Sequence, residues 1–255
     1  MTKLLKTIFY GLLMSLTIAY TASAQPEEAS DRPTVVFVHG LFADGSSWSD
    51  VIPILQARGI NVVSVQNPLT SLADDVAVTQ NAINLQSGPV ILVGHSWGGV
   101  VITQAANNPK VSALVYVSAF APGAGQSIAD ITAPYPTPVW ESQLVQDKGN
   151  FLRLSPLGVK EYFAPDLPPR SQGIVTATQG PFLIGCLADK VTQVSGKPSW
   201  WVLPEEDQII DPNLQAGMAA QINADVTKIH SSHVAMLSHP DEVARVILKA
   251  VASTK

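Results

Sequence analysis

A single cysteine, Cys186, stands in 255 residues, so no disulfide can close within the chain and stability has to come from packing. With no histidine beside it in the sequence, Cys186 reads as a small buried apolar residue rather than a nucleophile. Charged residues make up only 14% of the chain, and 15 basic residues face 20 acidic ones. That balance offers no basic patch, which excludes nucleic acid and anionic lipid as partners. The five histidines lack paired ligand spacing, which argues against a metal-dependent mechanism. Internal repeats and low-complexity tracts are absent, and no apolar run reaches the roughly 20 residues a membrane-spanning helix needs.

What is present begins with a basic start, Lys3 and Lys6, an apolar stretch over about residues 7–20, and Ala22-Ser23-Ala24 before Gln25. This pattern predicts a secretory signal peptide over residues 1–24, and hence an exported protein, periplasmic or secreted. Its removal leaves 13 basic against 20 acidic side chains, a net charge of about −7. Residues 25–255 then suit one domain with ample apolar content for a core.

The core pattern is a rhythm of buried strand and amphipathic helix. Residues 34–38, 61–65, 89–93, 111–117, 199–203 and 226–229 read as strands, the first as a continuous β-branched run and the fourth as another buried strand. Residues 49–58, 70–85, 100–106, 211–222 and 240–252 read as helices, with Asp211-Pro212 as an N-cap followed by proline at the first helical position. Such alternation implies an α/β fold with a mostly parallel sheet and helices on both faces. Between about residues 119 and 198 the rhythm breaks into prolines and aromatics, too long a stretch for a simple connection. It reads as a cap inserted over the site, with helical pieces at 140–148 and 158–162. Trp140, Phe151, Tyr162, Phe163 and Phe182 are its candidate substrate contacts, together with Phe42 from the core.

Gly94-His95-Ser96-Trp97-Gly98 follows an apolar strand and opens a helix, the setting of a nucleophile elbow. A turn this tight strains its central residue and requires almost no side chain two positions away on either side, which Gly94 and Gly98 provide. A serine hydroxyl needs a base and an orienting carboxylate, and in this architecture they follow the serine in the order acid, then histidine. His39 ends the first strand, His95 lies in the elbow beside the serine and faces away, His230 ends the last strand and His239 abuts the last helix, which leaves His233 as the base. For the acid, Glu205, Glu206, Asp207 and Asp211 compete; Asp211 is explained as a cap, and Asp207 is favoured over Glu206 because the shorter carboxylate is commoner in this role. The oxyanion donors are then the backbone N–H of Trp97 and that of Leu41, with Phe42 the alternative to Leu41.

Across the mature chain these features resemble the α/β-hydrolase superfamily. Val36-Phe37-Val38-His39-Gly40 with Gly45, Ser47 and Trp48, the elbow with Gly99, and the run from His233 to Pro240 resemble the branch of plant methylesterases and hydroxynitrile lyases, with its bacterial carboxylesterase-like members. The resemblance implies the triad Ser96, Asp207 and His233, with oxyanion donors at Leu41 and Trp97. It also implies a serine esterase for small carboxylic esters that needs no cofactor, as a monomer or weak homodimer. The lyases of that branch carry threonine where this chain has Gly40 and lysine where it has Val234, which points to ester hydrolysis over cyanohydrin cleavage. Perhydrolysis, lactone or amide cleavage, and ligand binding with little turnover are the alternatives on the same scaffold.

Overall fold

The structure, a computed structural model, describes residues 32–254. The expected signal peptide lies outside the described residues. In chain order the main elements are β1 (Thr34–Val38), α1 (Ile52–Gln56), β2 (Asn61–Ser64), α2 (Leu72–Asn84), β3 (Val90–His95), α3 (Trp97–Ala105) and β4 (Val111–Val117). They continue through α4 (Ile128–Thr132), β5 (Leu144–Gln146), β6 (Phe151–Leu154), α5 (Pro156–Gly158), α6 (Pro169–Thr178) and β7 (Phe182–Leu183). The chain closes with β8 (Ser199–Pro204), α7 (Pro212–Gln221), β9 (Asp225–Ile229), α8 (Ala235–Ser238) and α9 (Pro240–Ala252). No helix among the described residues is long and apolar enough to cross a membrane.

Six strands form one sheet in the order β2-β1-β3-β4-β8-β9, every neighbour parallel. The continuous apolar runs are thereby explained: β1 and β3 are buried at every position, and only Ser112 of β4 is partly exposed. From β1 the chain steps to one side into β2, then returns past β1 and walks the other way through β3, β4, β8 and β9. With right-handed crossovers, that reversal puts α1 on one face and α2, α3 and α7 on the other. α9 returns to pack on α1 and on β3, β4 and β8. Its burial stripe, Val243, Ala244, Val246, Ile247, Ala250 and Val251, has the helical period of a one-sided helix. Reversal of strand order between β1 and β3 opens a crevice at their carboxyl ends, where Gly40 and Ser96 emerge.

Residues 119–198 form no further strand of this sheet. Leu144–Gln146, Phe151–Leu154 and Phe182–Leu183 make a separate antiparallel sheet in the order β5-β6-β7. Here the helix expected over 140–148 is corrected: only the 3₁₀ turn Val139–Gln143 is helical, and the chain then extends into β5. Gln146 and Val145 leave a helical path because they pair with Leu152 and Arg153, contacts that local propensity does not contain. The piece expected at 158–162 is helical, as α5 runs into a π-helical turn, Val159–Phe163.

Candidate active site

The chain leaves β3 through Ser96, whose backbone sits at φ 52, ψ −120 before α3 begins. A left-handed φ at a serine is a strained conformation held by its surroundings. What holds it here is close packing of glycines. A Cβ on Gly94 would lie 2.5 Å from the Gly98 carbonyl oxygen, and one on Gly98 would strike the carbonyl oxygen of Val38. Gly40 faces the elbow in the same way, since its Cβ would sit 2.6 Å from Ser96 Cβ and 2.9 Å from the His95 carbonyl oxygen. Threonine at that position would have to displace Ser96 itself.

Asp207 and His233, far apart in sequence, meet at the carboxyl end of β8. His233 Nδ1 donates to Asp207 Oδ2 at 2.8 Å, and both side chains are shut off from solvent. The carboxylate is further fixed by the backbone N–H groups of Ile209 and Ile210, at 2.8 and 3.0 Å, and by Gln215 Nε2 at 2.8 Å. Four donors on one carboxylate leave it nowhere to turn. Glu205 and Glu206 are exposed, the former beside Lys228 and His230, and Asp211 caps α7 through the Asn213 N–H. Because Nδ1 carries the proton to Asp207, His233 Nε2 is the nitrogen with a free lone pair, and it is buried with no hydrogen-bond partner.

His95 does more than occupy the elbow. Expected to face away from the site, it packs its ring 4.7 Å from that of His233 and donates from Nε2 to the His233 carbonyl at 3.0 Å. Burial drives its pKa well below the ordinary histidine value, with His233 close by adding to the shift, so it is a neutral support. His39 is also held neutral by burial and fixes the loop after β1, donating to Gly40 O and accepting from the Asn67 N–H. The His233 loop is tied to residues 119–198 as well: Asp166 accepts from Ser232 N at 2.9 Å and from Ser232 Oγ at 2.5 Å.

Of the aromatic residues expected above Ser96, three gather on Phe42. Trp140, Phe163 and Phe182 stand edge-on to its ring at 5.9, 5.9 and 5.3 Å. Phe163 also reaches His233, with ring centroids 5.2 Å apart. Phe151, on β6, and Tyr162 make no ring contact with this group, and both are only partly buried. Leu41 and Trp97 are buried beside the elbow. Cys186 is buried too, its thiol pushed up to about 12, so it stays protonated and inert. An open groove of about 600 Å³ lined by Thr34, Asn61 and Leu85 lies at the amino ends of the strands, remote from Ser96. Among the described residues no three side chains of metal-ligating type converge.

Two polar residues of the site escape a linear reading, Gln215 on α7 and Asp75 on α2. Each interrupts the buried stripe of its helix: Asp75 stands among Leu72, Thr79 and Ile83, and Gln215 among Met218 and Ala219. A polar residue on an apolar face is the signal that marks them. Asp75 is fully buried and accepts from Trp97 Nε1 at 2.7 Å and from Leu69 N at 2.9 Å. Burial pushes its carboxyl from 3.8 up to about 6, against the pull of those two hydrogen bonds and with Asp74 and Asp189 adding repulsion. A folded-state pKa above the unfolded one adds stability that is complete below about pH 4 and lost as pH rises through about 6. Asp75→Asn removes this dependence. Urea unfolding of both proteins should therefore show the variant gaining about 2–3 kcal/mol on the wild type between about pH 4 and pH 8, whatever their offset at either pH.

Residues 35–246 match the family described as the alpha/beta hydrolase family. The chain is 24% identical over 248 residues to a pyrethroid hydrolase of Sphingobium wenxiniae, covering 84% of this chain and 85% of that protein. It is 25% identical over 242 residues to a pimeloyl-[acyl-carrier protein] methyl ester esterase of Stenotrophomonas maltophilia, covering 86% and 93%. Among solved structures, polyneuridine aldehyde esterase superposes with a TM-score of 0.73 at 19% identity, over 86% of this chain and 99% of the other, a likeness of fold.

Proposed function

The chain belongs to the alpha/beta hydrolase family, and from that premise we propose that it is an exported serine esterase that cleaves small carboxylic esters through Ser96, His233 and Asp207. The observation that carries the reading is His233: clamped to a buried carboxylate through Nδ1, it presents an unpartnered Nε2 next to the strained elbow that bears Ser96. The names of the relatives, a methyl ester esterase and a pyrethroid hydrolase, support ester cleavage. The N-terminal leader pattern supports export.

In this mechanism Ser96 Oγ attacks the ester carbonyl carbon while His233 Nε2 takes its proton. Negative charge gathers on the carbonyl oxygen, and the backbone N–H groups of Leu41 and Trp97 receive it. The buried Asp207 stabilises the imidazolium. Collapse breaks the C–O bond to the alcohol, which leaves with the proton from His233 and gives the acyl-Ser96 intermediate. Water, deprotonated by the same nitrogen, attacks the acyl carbon, and Ser96 Oγ leaves with that proton from His233, releasing the acid and restoring the enzyme. The apolar ring group of Phe42, Trp140, Phe163 and Phe182 favours esters with a modest aliphatic or aromatic acyl group over long-chain lipids.

A substrate panel tests this choice of reaction. Short-chain aryl esters should be turned over roughly tenfold or more faster than matched anilides, lactones, or acetate with peroxide. Preference for any of the last three would reject ester hydrolysis while keeping the triad.

A further inference from the structure

Among the described residues two carboxylates are buried, Asp207 and Asp75, and only the first has a histidine partner. A buried carboxylate without a counter-charge is costly, and packing alone would be better served by an apolar or amide side chain. Asp75 has a geometric reason to be acidic. Two N–H groups converge on it from different segments, Trp97 Nε1 on Oδ2 and Leu69 N on Oδ1, and an asparagine would answer one of them with a donor. Trp97 directly follows Ser96 and is the first residue of α3. Leu69, at φ 58, offers its carbonyl to Leu183 N at 2.9 Å, on the strand β7 that supplies Phe182 to the ring group over the site.

We propose that Asp75 is a positioning residue of the reaction, one that sets the amide of Trp97 for the oxyanion by holding the Trp97 indole. The inference rests on the esterase reading above, in which that amide is an oxyanion donor. An oxyanion donor acts only if it is aimed before charge develops, and the indole is where a buried side chain takes hold of the residue that carries this backbone N–H. The carbonyl side of the Ser96–Trp97 peptide is held by backbone, since Ser96 O accepts from Gly99 N at 3.0 Å and from Phe120 N at 3.1 Å. The bond from α2 holds the Trp97 side, so the plane that carries the amide is pinned from both ends. Through Leu69 the same carboxylate keeps β7 in register with the elbow, so donor and apolar wall are placed from one point.

The test is steady-state kinetics of the mature protein on a short-chain aryl ester, for wild type, Asp75→Asn, Trp97→Phe and the double variant, with thermal melts alongside. Each single change should lower kcat about ten- to a hundredfold while KM stays within about threefold, because misaiming a donor by an ångström or less weakens the transition state and not ground-state binding. The double variant should be no slower than the slower single one, since both remove the same bond. Wild-type kcat in a folded Trp97→Phe protein overturns the proposal, as does additivity of the two losses. If Asp75→Asn does not fold, Trp97→Phe, which removes the indole N–H and leaves a small cavity, decides alone through its kcat-against-KM split. A wild-type protein without ester turnover defeats the esterase reading and this inference with it, whereas wild-type turnover with unaffected variants defeats this inference only.

Discussion

Ser96→Ala is expected to fold as the wild type does and to lose about five to six orders of magnitude in kcat on an activated aryl ester. Folding should be spared because the hydroxyl makes no hydrogen bond in the structure that the fold would miss, and because alanine meets the same strained φ of 52 that serine already accepts. Catalysis should not be spared, since Ser96 is the hydroxyl at the strained centre of the elbow and Cys186 is held as a buried thiol. His233→Ala should cost nearly as much, and the double variant little more, because nucleophile and base act as one unit. Matching thermal melts and single-turnover rates check this. Activity within tenfold of wild type in folded Ser96→Ala would require another nucleophile.

The second large effect is assigned to Asp207→Asn, about 10⁴-fold in kcat with KM little changed. Four donors surround this carboxylate, and an amide in its place cannot accept from all of them. Ile209 and Ile210 hold the oxygen on their side, which turns the NH₂ toward His233 Nδ1. Histidine must then accept at Nδ1 and carry its proton on Nε2, the tautomer that cannot take a proton from Ser96. Gln215 has no remedy, because reversing its amide would break the 3.3 Å bond that its Oε1 accepts from Trp201 and the one its Nε2 makes to Ile210 O. Glu206→Gln, on an exposed carboxylate one residue away, should leave kcat within about twofold. A strong loss in Glu206→Gln with a mild one in Asp207→Asn would reverse the assignment of the acid.

These consequences trace to features of unequal visibility in the sequence. β1, β3 and β4 were legible because strands buried on both faces cannot alternate, and their short valine-rich runs bounded by turn residues read as strands rather than buried helix. The elbow was legible because glycines stand two positions either side of the serine between an apolar strand and a helix, although what forbids a side chain at Gly98 is distant, the Val38 carbonyl of β1. Asp211-Pro212 announced α7 through local capping chemistry alone. Residues 119–198 were not legible in the same way. Strands of two to four residues carry no period, and what orders them is distant: Gln179 bonds both the N–H and the carbonyl of Leu154, standing in for a strand neighbour. Which aromatics meet over the site is decided by such distant contacts: Phe163, at the end of the π-helical turn, lands on His233, and Phe182 of β7 joins Phe42 whereas Phe151 of β6 does not. The partners of Asp75 and Asp166 are likewise contacts across the fold, and neither residue sits in a motif.

The central claim, that Ser96 is the nucleophile activated by His233, is tested most directly by covalent labelling. The protein is treated with a small fluorophosphonate at neutral pH and the adduct is located by peptide mass spectrometry. The account predicts one equivalent of phosphonate on Ser96, loss of ester turnover in step with labelling, and no adduct in Ser96→Ala. Slow or absent labelling of an active wild-type protein, or an adduct on any other residue that tracks the loss of activity, would contradict it.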